Sequence, residues 1–147
     1  MYYLDTSVLL VYTLAQATEP QRYEASRHVM ERLKARSHPI VTSFYSLHEV
    51  FLFALEHAPT EEAGNAFGKA ALTEILSLPL RLLPLLSRSE RTTHAKRFAV
   101  LPDPSDVPHA ISAYLANCRV IIAYDDHFKR LPSPLIYRTP EDMLREL

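Results

Sequence analysis

Five short apolar runs, separated by stretches with helical spacing, restrict this chain to one kind of architecture. The first is Tyr2 to Asp5, the second Pro39-Ile40-Val41-Thr42, the third Leu80-Arg81-Leu82-Leu83, the fourth Val120 to Ala123, and the fifth Leu135-Ile136-Tyr137. All are largely apolar rather than alternating, the pattern of strands covered on both faces in a parallel sheet. Strands that alternate with helices predict an α/β fold with helices on both sides of that sheet.

The helices announce themselves by their starts. Ser7 or Thr6 opens one that runs to about Gln16, and Pro20 opens a second to about Arg36. Ser43 is the expected cap of a third, to about His57. Pro59-Thr60-Glu61-Glu62 supplies a hydroxyl cap and then two acids in the first turn of a helix to about Leu78. Ser87-Arg88-Ser89-Glu90 is a capping box for a helix to about Ala99. Asp103-Pro104-Ser105-Asp106 begins one ending near Asn117, a residue that tolerates the left-handed helix-closing conformation. Thr139-Pro140-Glu141-Asp142 caps the last, with Pro at the favoured first position.

Length and composition bound the function. A chain of 147 residues, 48% hydrophobic and 22% charged, is expected to form a single domain, 1–147, with a substantial core. No apolar run approaches a membrane span, and no positively charged region precedes the N-terminal run, so neither a membrane protein nor a signal peptide is expected. The lone Cys118 excludes an internal disulfide and fits a reducing, cytoplasmic setting. Two glycines leave no phosphate-binding loop and no dinucleotide fingerprint. A net charge of −1 argues against indiscriminate nucleic-acid coating, though not against a nuclease. Arg22, Arg27, Arg32, Lys34 and Arg36 cluster, as do Arg88, Arg91, Lys96 and Arg97; solvated helix faces explain both clusters.

Four carboxylates stand against apolar sequence: Asp5, Glu49, Asp106 and Asp125. No Arg or Lys lies within four residues of the first three. A buried acid is costly unless something pairs with it. Asp5 and Asp125 fall at the carboxyl ends of the first and fourth strands, where parallel sheets bind ligands. Glu49 lies about two turns into the helix after the second strand. Asp106 starts the helix that feeds the fourth, and a right-handed crossover brings that start to the same edge. Acids converging there without bases would hold a hard divalent cation. Asp5, Asp106 and Asp125 can also be read as helix caps or turn residues, and Glu49 as the partner of an arginine brought by the fold. Asp126 and Asp103 read more simply as turn and cap residues, and His109 and His127 as structural neighbours of the site. Tyr2, Tyr3, Tyr45 and Tyr124 read as half-buried core, with base stacking as the alternative. The apolar excess of Phe44–Leu55 serves either the core or an interface.

The same blocks resemble a known family. Leu4-Asp5-Thr6-Ser7-Val8-Leu9-Leu10 is similar to the opening of PIN-domain proteins. Ser46-Leu47-His48-Glu49-Val50 resembles their second acidic block, and Asp106 to Ala116 their third. Ile121-Ile122-Ala123-Tyr124-Asp125-Asp126-His127-Phe128 resembles their fourth. The order and length match across the whole chain. Two positions depart: Ala123 stands where a Thr or Ser is frequent, and Asn117-Cys118 where a Gly is.

The resemblance implies a three-layer α/β/α sandwich with a mainly parallel sheet and a Mg²⁺- or Mn²⁺-dependent endoribonuclease. Asp5, Glu49, Asp106 and Asp125 would be its metal-binding set, and Ser7 would orient the first acid or a metal-bound water. Small members are most often VapC-type toxins, which implies an RNA substrate, an antitoxin protein partner and a homodimer. A non-catalytic PIN-like module that binds RNA or a protein is the alternative. A phosphatase would want an Asp where Ser7 stands.

Overall fold

The computed structural model describes all residues from Met1 to Leu147. Five strands form one sheet: β1 (Tyr2–Leu4), β2 (Ile40–Ser43), β3 (Arg81–Leu83), β4 (Val120–Ile122) and β5 (Ile136–Arg138). Their order is β3-β2-β1-β4-β5 and every pairing is parallel. The chain's first strand therefore lies in the middle. The winding direction reverses beside it, between β1 and β4, and such reversals open a crevice at the carboxyl ends of the strands.

Seven helices cover the sheet: α1 (Thr6–Thr13), α2 (Pro20–Ala35), α3 (Phe44–His57), α4 (Glu61–Leu76), α5 (Arg88–His94), α6 (Val107–Leu115) and α7 (Pro140–Glu146). The two-residue period of a strand sends alternate side chains to opposite faces. Leu4, Ile40, Val120 and Ile122 pack with Val8 and Leu9 of α1, Val29 and Leu33 of α2, Val50 of α3 and Ile75 of α4. Tyr3, Val41 and Ile121 pack on the other side with Phe98, Ile111 of α6 and Phe128. Two cores divided by a sheet make the three-layer α/β/α sandwich.

Local chemistry sets most boundaries as expected. Thr60 accepts from the Ala63 amide, and the capping boxes Ser87–Glu90 and Thr139–Asp142 are both closed. Asn117 takes φ 58°, the left-handed turn that closes α6. Four expectations need correction. The first helix ends at Thr13 and not near Gln16. The helix from Arg88 stops at His94, because the chain then turns to bury Phe98 and Leu101. The last strand is Ile136–Arg138, one residue later than the apolar run, because Leu135 drops into the core instead. Ser43 occupies the cap position of α3 but caps nothing with its side chain; its hydroxyl bonds Tyr3 Oη at 2.7 Å.

Helices α3 and α4 pack unusually close. A Cβ on Gly64 would lie 2.9 Å from Leu55 Cα, and one on Gly68 2.6 Å from the Phe51 ring. The only two glycines of the chain thus sit one turn apart on the face of α4 that meets α3, Gly64 against backbone and Gly68 against the Phe51 ring.

Candidate metal centre

Asp5 directly follows β1 and caps α1. Its own N–H donates to Ile122 O of β4 at 3.0 Å, which pins it beside the neighbouring strand end. One carboxylate oxygen, Oδ2, accepts from the Ser7 amide at 3.0 Å and from the Ser7 hydroxyl at 2.6 Å. The Ser7 oxygen in turn accepts the Tyr124 N–H at 2.9 Å. Asp125, just past β4, repeats the Asp5 arrangement: its Oδ1 accepts from the His127 amide at 2.9 Å. Each acid is thus fixed by the turn it caps while its other oxygen stays out of that bond.

Asp106 closes a short 3₁₀ turn, Pro104–Asp106, and stands at the cap position of α6 without capping it. The expected place in the first turn of the helix is therefore corrected to the turn before it. Asp106 is buried, and its Oδ2 has no hydrogen-bond partner. Asp103 caps the 3₁₀ turn through the Ser105 amide at 2.9 Å. That bond, foremost, holds its carboxyl below the usual range.

Glu49, in the second turn of α3, is held by two donors. His109 Nε2 donates to Oε1 at 2.8 Å and the Thr6 hydroxyl to Oε2 at 2.5 Å. His109 Nδ1 lies 3.9 Å from Asp5 Oδ1. No arginine or lysine forms an ion pair with any of the four acids; the only basic side chains paired with them are His109 and His127. The reading of Glu49 as an arginine's partner therefore gives way to a histidine.

Burial and mutual repulsion set the electrostatics. Burial first, then the charges of Asp125, Asp5 and Asp103, push the Asp106 carboxyl up to about 7. Burial also raises Asp5, against the opposing pull of His109 and the Ser7 bonds. For Glu49 burial is the largest single influence and acts upward, yet the His109 bond and charge with the Thr6 bond outweigh it, and the carboxyl ends below its ordinary value. His109 moves up, because Glu49, Asp5 and Asp106 together overcome the burial that opposes its charge.

Ligand-capable atoms gather in two overlapping knots. Asp103, Asp106 and His127 offer atoms within 4.8 Å of one another, as do Asp125, Asp126 and His127. His127 Nδ1 bridges them, 3.2 Å from Asp125 Oδ1 and 3.6 Å from Asp106 Oδ2. Asp5 and Glu49 belong to neither knot. Asp5 is close enough to Asp106 for their charges to repel, and Glu49 is tied to Asp5 through His109 and Thr6. An orphaned buried carboxylate oxygen among like charges is the condition that a divalent cation relieves. The residues present therefore fit a hard metal ion.

Thr6, His109 and His127 enter this site although sequence reasoning gave them no functional role. The signal for His109 was its place three residues after Asp106, in the first turn of the helix that Asp106 precedes. His127 shares the turn that Asp125 caps. The tyrosines resolve as scaffold: Tyr3 is fully buried, Arg22 lies over the Tyr124 ring at 4.6 Å, and Tyr45 Oη accepts the Leu86 amide at 3.1 Å. On α2, Arg22 pairs with Glu19 and Arg27 with Glu24 and Glu31, as a solvated face would.

A parallel α/β/α sandwich with acids where the winding reverses places them in the crevice where sheets of this class bind ligands. The sequence model of the PIN domain matches residues 2–134. The chain belongs to the PIN-domain family. Among solved structures, VapBC2 from Rickettsia felis, bound to a DNA fragment from their promoter, is similar at 19% identity and a TM-score of 0.67. That match covers 94% of this chain and 97% of the other. Mycobacterium tuberculosis VapC20, a sarcin-ricin loop cleaving toxin, is similar at 15% identity and a TM-score of 0.62, over 86% of this chain and 91% of the other. No curated protein matches.

Proposed function

We propose that this chain is a metal-dependent endoribonuclease acting as the toxin of a toxin–antitoxin pair. Asp5, Glu49, Asp106 and Asp125 would hold Mg²⁺ or Mn²⁺, with Ser7 orienting Asp5. The observation that carries this reading is Asp106: a buried carboxylate with one unpartnered oxygen, beside Asp5 and Asp125, with no lysine or arginine to neutralise them. A bound divalent ion lowers the pKa of its water and offsets charge on a phosphoryl group. The chain's own part is to keep the acids fixed. Ser7 immobilises Asp5 Oδ2, the His127 amide immobilises Asp125 Oδ1, and Asp106 presents an oxygen that nothing else occupies.

The substrate class is RNA, supported by family membership and by the cleavage named for VapC20. The partners of this reading are an antitoxin protein, in line with the likeness to VapBC2, and a second copy of the chain. No helix is long and apolar enough to cross a membrane, and the proposed setting is the cytoplasm.

The test is cleavage of a structured RNA pool with Mn²⁺, Mg²⁺ or EDTA, comparing the native chain with Asp5→Asn. Cutting that needs the ion and falls by at least about 100-fold in Asp5→Asn is expected, beyond the 10- to 100-fold typical of groups that only support ligands. Equal inertness of two folded, ion-loaded proteins would favour a non-catalytic binding module.

A further inference from the structure

Glu49 differs from the other acids in how it is held. Asp5 and Asp125 are fixed by backbone N–H groups of the turns they cap. Glu49 has no such bond. It lies mid-helix on a longer, more rotatable side chain, about a third of which is exposed. Left alone, such a carboxylate samples many rotamers. Its position is instead set by two side chains from elsewhere in the sequence, Thr6 and His109.

His109 does not float either. It is 1% exposed, and its Nδ1 lies 2.7 Å from Tyr3 Oη, which lies 2.7 Å from Ser43 Oγ. Tyr3 and Ser43 are wholly buried. A continuous row of polar groups, Ser43–Tyr3–His109–Glu49, thus runs out of the core from β2 through β1 and α6 to α3. The row closes whichever protonation state His109 has. Nε2 donates to Glu49 in both, while Nδ1 accepts from the Tyr3 hydroxyl when the ring is neutral and donates to it when charged. A polar row through an apolar core is costly unless every member is satisfied, and here every member is.

We infer that His109 is a positioning residue that, backed by Tyr3 and Ser43, fixes the Glu49 carboxylate in the geometry from which it serves the metal centre. This rests on the nuclease reading above, in which Glu49 is one of the acids that hold the ion. A partner that orients a metal-binding carboxylate typically contributes about 10- to 100-fold to ion affinity or activity. Glu49 is the one acid of the four that His109 hydrogen-bonds, Asp5 Oδ1 lying beyond bonding reach at 3.9 Å. Loss of His109 should therefore cost nothing further once Glu49 can no longer serve.

The experiment is a double-mutant cycle on the full chain: His109→Leu, Glu49→Gln and both together, with His109→Gln as the conservative variant that keeps an N–H donor. The readouts are Mn²⁺ affinity by calorimetry, kcat and KM for RNA, and the thermal midpoint. His109→Leu is expected to weaken Mn²⁺ binding and lower kcat by about 10- to 100-fold with little change in KM. His109→Gln should recover part of that. In the Glu49→Gln background, His109→Leu should add no loss. An equal loss in both backgrounds, or Mn²⁺ affinity in His109→Leu equal to that of the native chain, overturns the inference while leaving the nuclease reading intact. A native chain that neither binds Mn²⁺ nor cuts RNA overturns that reading instead. Should His109→Leu fail to fold, Tyr3→Phe removes only the hydroxyl behind the ring. It should weaken Mn²⁺ binding in the native background and not in Glu49→Gln; an unchanged affinity in the native background overturns the inference.

Discussion

The backbone N–H of Tyr124 donates to the Ser7 hydroxyl oxygen at 2.9 Å, across 117 residues of chain. The same oxygen donates its proton to Asp5 Oδ2 at 2.6 Å. One hydroxyl thus orients the acid at the end of β1 and anchors the backbone that carries Asp125 at the end of β4.

Ser7→Ala breaks both links and leaves the Tyr124 amide without its partner. Stability is expected to fall by about 1–3 kcal/mol, the cost of an unmatched buried donor. Cleavage should drop by about 10- to 100-fold, as for loss of a group that orients a ligand. Thermal unfolding read beside RNA cleavage checks both, and Ser7→Thr, which keeps the hydroxyl, should restore much of each.

Asp106 predicts how the metal-free protein responds to pH. Its carboxyl sits at about 7 in the fold against an ordinary 3.8. Between those values the native state binds more protons than the unfolded chain, so this group's contribution to stability is full below about 4 and is lost as pH rises towards 7. Urea midpoints of metal-free protein, after subtraction of the same series for Asp106→Asn, should show that decline. Ion binding below pH 7 should also release a proton, seen as a dependence of calorimetric heat on buffer ionisation enthalpy.

Removing the charge of Asp5 should separate scaffold from centre. Asparagine caps a helix as well as aspartate does, so Asp5→Asn is expected to match or exceed the thermal midpoint of the metal-free native chain. The native chain should gain about 2.7 kcal/mol at an ion concentration 100 times the dissociation constant. The variant should gain almost nothing at that concentration, and an equal gain would remove Asp5 from the ion's surroundings.

Gly64→Ala tests the crossing of α3 and α4. Alanine favours a helix over glycine by about 1 kcal/mol. The new methyl, however, would stand 2.9 Å from Leu55 Cα, an atom that cannot move without its helix. Overpacking of this kind costs about 1–3 kcal/mol, so a net loss is expected in urea unfolding. Gly68→Ala meets only the Phe51 ring, which can turn aside, and should cost less.

Sequence patterns carried the architecture because its determinants are local. Apolar runs marked the strands, hydroxyl and acidic starts marked the helices, and the four acids stood out against apolar surroundings. The contacts that organise the acids are not local. His109 reaches Glu49 across 60 residues and Thr6 reaches it across 43, and neither periodicity nor propensity encodes such a meeting. Ser43 shows the same limit: by local rules it is a cap, but a tyrosine from the neighbouring strand claims its hydroxyl. The two glycines gave no turn signal because their role is a close helix crossing.

The central position of β1 has a consequence for timing. Tyr2–Leu4 leaves the ribosome long before Val120–Ile122, the strand it pairs with on one side. On the nuclease reading proposed above, a growing chain has no complete centre until Asp125 has emerged and β4 has docked. A cell synthesising this protein would be spared its action on RNA during translation, which leaves a window for a partner to intercept the finished molecule. Chains stalled on the ribosome before Val120 should be inert, and activity should appear only in those long enough to expose Asp125.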